Sequence, residues 1–222
     1  MFQGTGLSLG LGFSLLAALW SANKGMKALI TALNIVYDED ERRRFLRLNL
    51  FALALTLFMV ILGVIAIGAV VAVPILLSFL GLGSVAEALM QWLRWPLLAA
   101  VLLFALAVIY RYGPSRRRAR WKWVSWGAVI AVLLWLVASG LFSFYVANFG
   151  AYNATYGSIG AVIIMLMWLF ISAFVILLGA QVNAEMERQT AMDTTYRGEQ
   201  PMGQRGAFVA DHLPGDSLRS EP

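Results

Sequence analysis

The side chains best suited to chemistry in this sequence are few, and most are uncharged. Tyr145, Asn148, Tyr152, Asn153 and Tyr156 crowd together with Gly157 and Ser158 between two apolar blocks. Trp20, Asn23 and Lys24 follow an earlier block, and Asn183 and Glu185 close the last one. Hydroxyls, amides and a carboxylate at the ends of apolar segments suit non-covalent capture of a small solute, lipid or other amphiphile, so these eleven residues, Ser158 aside, form the candidate substrate-binding set. An aromatic belt and an Asn- and Gly-built turn explain the tyrosines more simply, because tyrosine is common at membrane interfaces.

Covalent chemistry finds no foothold. The chain has no cysteine, which removes disulfides, thiolate catalysis and cysteine-ligated metals. Its one histidine, His212, stands in a polar tail without a neighbouring acid cluster. There is no phosphate-cradling G-x-x-x-x-G-K-[ST] loop and no G-x-S-x-G elbow. No nucleophile and base pair can be located, so no catalytic residue, metal or cofactor is expected and the chain is not read as an enzyme. The apolar blocks also lack Asp, Glu, Lys, Arg and His, which disfavours proton-coupled antiport.

The elements that position these groups follow from composition. Hydrophobic residues make up 60% of the chain and charged residues 13%, and the apolar ones gather into uncharged blocks at 7–20, 51–82, 96–110, 126–148 and 158–180. Such blocks, roughly 20 residues long, cross a bilayer as helices. The expected fold is all-α: a polytopic transmembrane helical bundle over 1–189, with five spans at about 7–22, 51–82, 92–110, 126–148 and 158–180. The second block is too long for one straight crossing, and its Pro74 suggests a kink or a long tilted helix. Met26, Leu29, Ile30, Leu33 and Val36 share one helical face, which reads as an interfacial amphipathic helix at about 24–37. Asp38, Glu39 and Asp40 precede Arg42, Arg43 and Arg44 by four residues, as in a helix start with i,i+4 pairs. From about 190 to 222 the sequence is polar, contains prolines and lacks a hydrophobic pattern, so a disordered tail is expected.

Charge sets the expected orientation. Residues 21–50 hold six Lys or Arg and residues 111–125 hold six more, whereas 149–157 hold none and 83–95 hold Arg94 alone. Under the positive-inside rule the basic loops and the C-terminus face the cytoplasm and the N-terminus of this chain faces outward, in a multi-pass protein of the cell inner membrane. The formal charge of +5 is therefore assigned to headgroups and topology rather than to nucleic acid. On the last block Gly157, Ala161, Trp168, Ser172, Gly179 and Asn183 fall on one small or polar face, which reads first as a surface for close helix packing.

Two stretches resemble a known family. One runs from Ala18-Leu19-Trp20-Ser21-Ala22-Asn23-Lys24-Gly25 to Ala32-Leu33-Asn34-Ile35-Val36-Tyr37-Asp38. The other includes Tyr145-Val146-Ala147-Asn148-Phe149-Gly150, Tyr156-Gly157-Ser158-Ile159-Gly160-Ala161 and Leu178-Gly179-Ala180-Gln181-Val182-Asn183-Ala184-Glu185. Together they are similar to the YihY/BrkB proteins, also called UPF0761. The resemblance implies a six-helix membrane protein of which this chain is an N-terminally short member. It also carries an inherited ribonuclease BN label, rejected here because metal-dependent RNA cleavage needs His and carboxylate ligands in an aqueous cleft. The functional expectation is transport or handling of a lipid, amphiphile or small solute; the alternative is a non-transporting scaffold or envelope-assembly factor. Membrane lipids, a homo-oligomer or other membrane proteins are the expected partners, and nucleic acid is not.

Overall fold

The computed structural model describes residues 2–78, 83–149, 158–196 and 199–213. These residues form helices α1 (Phe2–Val36), α2 (Phe45–Ser78), α3 (Gly83–Tyr112), α4 (Trp121–Phe149), α5 (Ser158–Arg188) and the short α6 (Phe208–Asp211). Among the described residues four segments are long and apolar enough to cross a membrane: Phe45–Ala72, Trp92–Tyr112, Trp121–Asn148 and Ser158–Arg188. The first expected span, 7–22, is the N-terminal part of α1 and is not one of those four.

Three local expectations change. The separate amphipathic helix at 24–37 does not exist as such: α1 continues through it without a break, since nothing between Trp20 and Met26 forces the chain out of helix. Its stripe is covered in part, with Ile30 and Leu33 at 0–1% exposure and Met26, Leu29 and Val36 half-buried. The acid–arginine run is not a helix start either. Asp38 adopts a left-handed φ of 51°, residues 37–44 are non-helical, and α2 begins at Phe45 without an acid in its first turn. Glu41 instead pairs with Arg43 at 2.7 Å.

The tail is the third correction. Residues 190–196 and 199–213 are folded, and Asp193, Thr194, Thr195 and Arg205 are buried. Their order comes from side chains satisfying backbone groups, which no hydrophobic pattern reveals. Arg205 donates to the carbonyl oxygens of Ala191, Met192, Gln200 and Ala210 at 2.6–3.3 Å. Asp211 accepts from the backbone N–H groups of Gly203, Arg205 and Gly206, two of them glycines with φ of 88° and 67° that turn the chain. Residues 214–222 lie outside the described residues.

The chain divides into two compact units, Met1–Ala32 with Glu41–Val101, and Leu33–Asp40 with Leu102–Pro222. In the first, Lys27 Nζ donates to Asn49 Oδ1 at 2.7 Å, tying α1 to α2, and the Thr56 hydroxyl bonds back to the Ala52 carbonyl. In the second, α4 packs against α5 along the small face expected from the sequence. Trp135 donates through Nε1 to Ser172 Oγ at 3.1 Å and its ring lies 5.3 Å from that of Trp168. Further along, the backbones meet at Gly127 and Gly179, where side chains would not fit.

A Cβ on Gly179 would stand 2.5 Å from the Tyr110 hydroxyl, 2.6 Å from the Gly127 carbonyl oxygen and 2.7 Å from Ala131 Cβ. Gly179→Ala should therefore destabilise the α4–α5 pair by about 1–3 kcal/mol through overpacking. Gly140→Ala, where a Cβ meets nothing within 4 Å, should leave thermal unfolding in detergent unchanged or slightly raised. Equal melting temperatures for the two variants would refute the close contact.

Candidate functional site

Helix α5 ends in Asn183-Ala184-Glu185-Met186-Glu187-Arg188, and this is where the second unit concentrates its polar groups. The α3–α4 connection, residues 113–120, brings Arg116 to Glu187. Its two terminal nitrogens donate to the two carboxylate oxygens at 2.7 Å each, and both side chains are 1% exposed. The Thr194 hydroxyl donates to the same carboxylate at 3.0 Å, and the Arg116 guanidinium lies 4.1 Å from the centre of the Tyr37 ring. Bidentate geometry and a third donor are what a buried carboxylate needs to remain charged.

The neighbouring groups close around this pair. Asn34 Oδ1 accepts the Ser115 N–H at 2.8 Å, Glu39 accepts the Phe208 N–H at 2.7 Å, and Arg188 reaches Asp38 at 2.5 Å. Burial works against the Arg116 charge, but the attraction and hydrogen bonds of Glu187 outweigh it and raise its pKa, so the guanidinium stays charged. Burial also drives the Tyr37 pKa well above the ordinary tyrosine value, against the pull of Arg116. Its neutral hydroxyl lies beside Asn183 and Arg116 without a hydrogen bond of good geometry.

The residues expected from the sequence fall in both units, and some lie outside the described residues. Trp20, Asn23 and Lys24 belong to the first unit, with Trp20 66% exposed and Lys24 Nζ 5.7 Å from its ring centre. Asn23 is buried with its Oδ1 unpartnered. Tyr145 and Asn148 sit near the end of α4, where Asn148 bonds back to the Phe144 carbonyl. Tyr152, Asn153, Tyr156 and Gly157 lie outside the described residues. Asn183 is fully buried at the other end of α4, accepting from the Gly127 N–H at 2.8 Å and donating to the Val124 carbonyl at 3.3 Å. From Gly127 to Tyr145 is 18 residues, or about 27 Å of helix, so Asn183 and Tyr145 do not share a site. Glu185 is partly exposed and accepts from Gln189, whereas the buried carboxylate is Glu187, two residues on.

A groove opens between α4 and α5 at the Tyr145 end. Ala138, Leu141, Phe142, Tyr145, Met167 and Ile171 line about 360 Å³. Phe142 stacks on Tyr145 at 6.5 Å and lies 5.5 Å from Trp168, which fixes the groove wall. Among the described residues no group of three or more His, Asp or Glu is close enough to hold a metal ion.

A family profile described as Virulence factor BrkB matches residues 2–203. The chain belongs to the BrkB family. Among curated relatives, this BrkB-family chain is 36% identical to the ribonuclease-like protein YfkH of Bacillus subtilis, over 81% of the chain and 66% of the relative. It is 27% identical to a UPF0761 membrane protein of Idiomarina loihiensis, over 81% of the chain and 61% of the relative. A UPF0761 membrane protein of Tolumonas auensis is 33% identical over 45% of the chain and 32% of the relative. The chain thus spans less than two thirds of the length of these relatives. No solved structure gives a significant match. Family and apolar helices together make this a membrane-embedded protein.

Two predictions follow from the polar cluster of the BrkB-family chain. Arg116→Met strands a buried carboxylate and should cost about 3–5 kcal/mol, while Arg116→Met with Glu187→Met should recover most of that loss. A double-mutant cycle on unfolding in detergent measures this, and additive losses would contradict it. The second concerns Asp193. Burial alone would raise its pKa, but the N–H and hydroxyl of Thr195, the N–H of Gln200 and the Arg205 charge together lower it. A carboxyl lowered on folding adds stability that is present above the unfolded value of about 3.9 and is lost as pH falls through the folded value. Asp193→Asn should therefore flatten the fall in melting temperature between about pH 5 and pH 2.

Proposed function

We propose that this chain is a non-enzymatic protein of the cell inner membrane that accommodates the apolar chain of a lipid or similar amphiphile between α4 and α5. The observation that carries the reading is the groove of about 360 Å³ within two membrane-spanning segments. Its volume lies in the range of small-molecule sites, and five apolar residues surround one phenol, Tyr145. An alkyl chain would gain close packing there, with the tyrosine hydroxyl near the polar part of the molecule. The uncharged apolar blocks fit a neutral or amphiphilic cargo better than a small ion. The loop charges support a cytoplasmic C-terminus and an outward N-terminus for the described chain, with the Tyr145 end of α4 outermost.

A scaffold role is the second reading, and a different observation favours it. Ile159, Ile163, Leu166, Phe170 and Phe174 on α5 are 51–71% exposed, a face that another membrane protein or a second copy would cover as readily as lipid.

The two readings separate in proteoliposomes carrying a fluorescent or photoactivatable phospholipid. Wild-type protein should move or crosslink the lipid, with crosslinks at the α4–α5 groove. Ile171→Trp, which fills the groove, should abolish this, while Phe170→Ala, on a residue 71% exposed, should not. No lipid movement or groove crosslink with well-folded wild type, together with a stoichiometric copurifying partner, would replace the lipid reading with the scaffold.

A further inference from the structure

The end of the second unit opposite the groove holds a cation that the polar cluster leaves uncompensated. Arg111, the penultimate residue of α3, is 5% exposed. One terminal nitrogen donates to the Ala119 carbonyl, and its Nε has no hydrogen-bond partner. Three rings surround the guanidinium: Trp121 at 4.6 Å, Tyr196 at 5.2 Å and Tyr112 at 5.6 Å. Among the described residues no carboxylate pairs with it. Acids of the α5 end and the tail are engaged elsewhere: Glu187 by Arg116 and Thr194, Asp193 by Thr195 and Gln200, and Asp211 by three backbone N–H groups. Rings and one carbonyl stabilise a buried guanidinium without neutralising it.

More positive charge converges on the same rings. The Arg118 guanidinium lies 4.8 Å from the Tyr112 ring centre and is exposed. Lys122, also exposed, stands in the first turn of α4, which contains no acid, so a lysine adds to the positive end of the helix dipole instead of cancelling it. Backbone bonds from Arg120 N–H to Thr194 and from Tyr196 N–H to Arg118 hold the tail against this connection and fix the Tyr196 ring beside Arg111.

The position indicates which anion would fit. The patch lies where the spans Trp92–Tyr112 and Trp121–Asn148 end and begin, the place at which membrane-spanning helices meet lipid headgroups. Trp121 and Tyr196 are 43% and 53% exposed there, as aromatic residues at a membrane interface are. We propose that this patch binds the phosphate of an anionic phospholipid headgroup. Arg118 and Lys122 contact the phosphate, the Arg111 charge acts on it through the low-dielectric ring cage, and Trp121 and Tyr196 flank the upper acyl chain. The site lies at the far end of α4 from the Tyr145 groove and does not depend on lipid occupying that groove.

Native mass spectrometry of the full chain, titrated with phosphatidylglycerol and with phosphatidylcholine, tests the assignment. Wild type should retain phosphatidylglycerol preferentially. Arg118→Gln with Lys122→Gln should weaken that preference by about fivefold per cation removed, with an unchanged melting temperature. Both substitutions are at exposed positions, so folding is preserved and a loss reads on binding. Arg111→Gln, scored only if it folds, should weaken it further. Equal retention of the two lipids by wild type, or an unchanged preference in the double variant, would overturn the site. Displacement of phosphatidylglycerol by millimolar inorganic phosphate would overturn the lipid assignment in favour of a soluble anion.

Discussion

The structure of the second unit depends on compensating one carboxylate buried away from water. Glu187 sits at 1% side-chain exposure at the end of a long apolar helix, and an unpaired carboxylate there would cost several kcal/mol. Arg116 answers it with two parallel bonds, Thr194 adds a third, and Tyr37 closes the guanidinium from the side with its ring. Glu187 and these partners bring together four separate places in the chain: α5, the residue that follows α1, the α3–α4 connection and the tail. Satisfying one charge therefore fixes the approach of all four.

The membrane side of the unit follows from different physics. Between apolar helices in lipid there is little hydrophobic force, so α4 and α5 associate where small residues allow backbone contact and where polar side chains find partners. Gly127 meets Gly179, Asn183 caps that contact by bonding the Gly127 N–H, and Tyr110 donates to the Ile176 carbonyl at 2.7 Å. Toward the other end large rings replace glycines, and the groove opens. One helix pair is thus tight where it joins the polar cluster and loose where a chain-like molecule would fit.

Much of this was legible in the sequence, and the omissions have physical causes. Four of the five uncharged blocks coincide with helices long and apolar enough to cross a membrane, and the stripe containing Trp168, Ser172, Gly179 and Asn183 reported the α4 contact because side-chain periodicity survives into the fold. The fold of the tail was not legible. Arg205 and Asp211 order it by bonding backbone groups, and a polar residue that does so looks the same in sequence as one in solvent. Which of Glu185 and Glu187 is buried was not legible for a similar reason. Two residues apart on a helix they face directions about 200° apart, and only the position of Arg116 decides which is inside. The turn at Asp38 was hidden because three acids before three arginines suit a helix start equally well, and the pairing of Glu39 with Phe208 spans 169 residues.

If the buried charge recruits the tail into the folded unit, amide hydrogen exchange on the intact chain in lipid nanodiscs will show it. Exchange should be slow at Arg117, Arg120, Tyr196 and Gln200, whose N–H groups bond Gly206, Thr194, Arg118 and Asp193. Exchange at random-coil rates throughout 190–213, with α4 and α5 still protected, would contradict it: the ion pair would then exist without organising the chain around it.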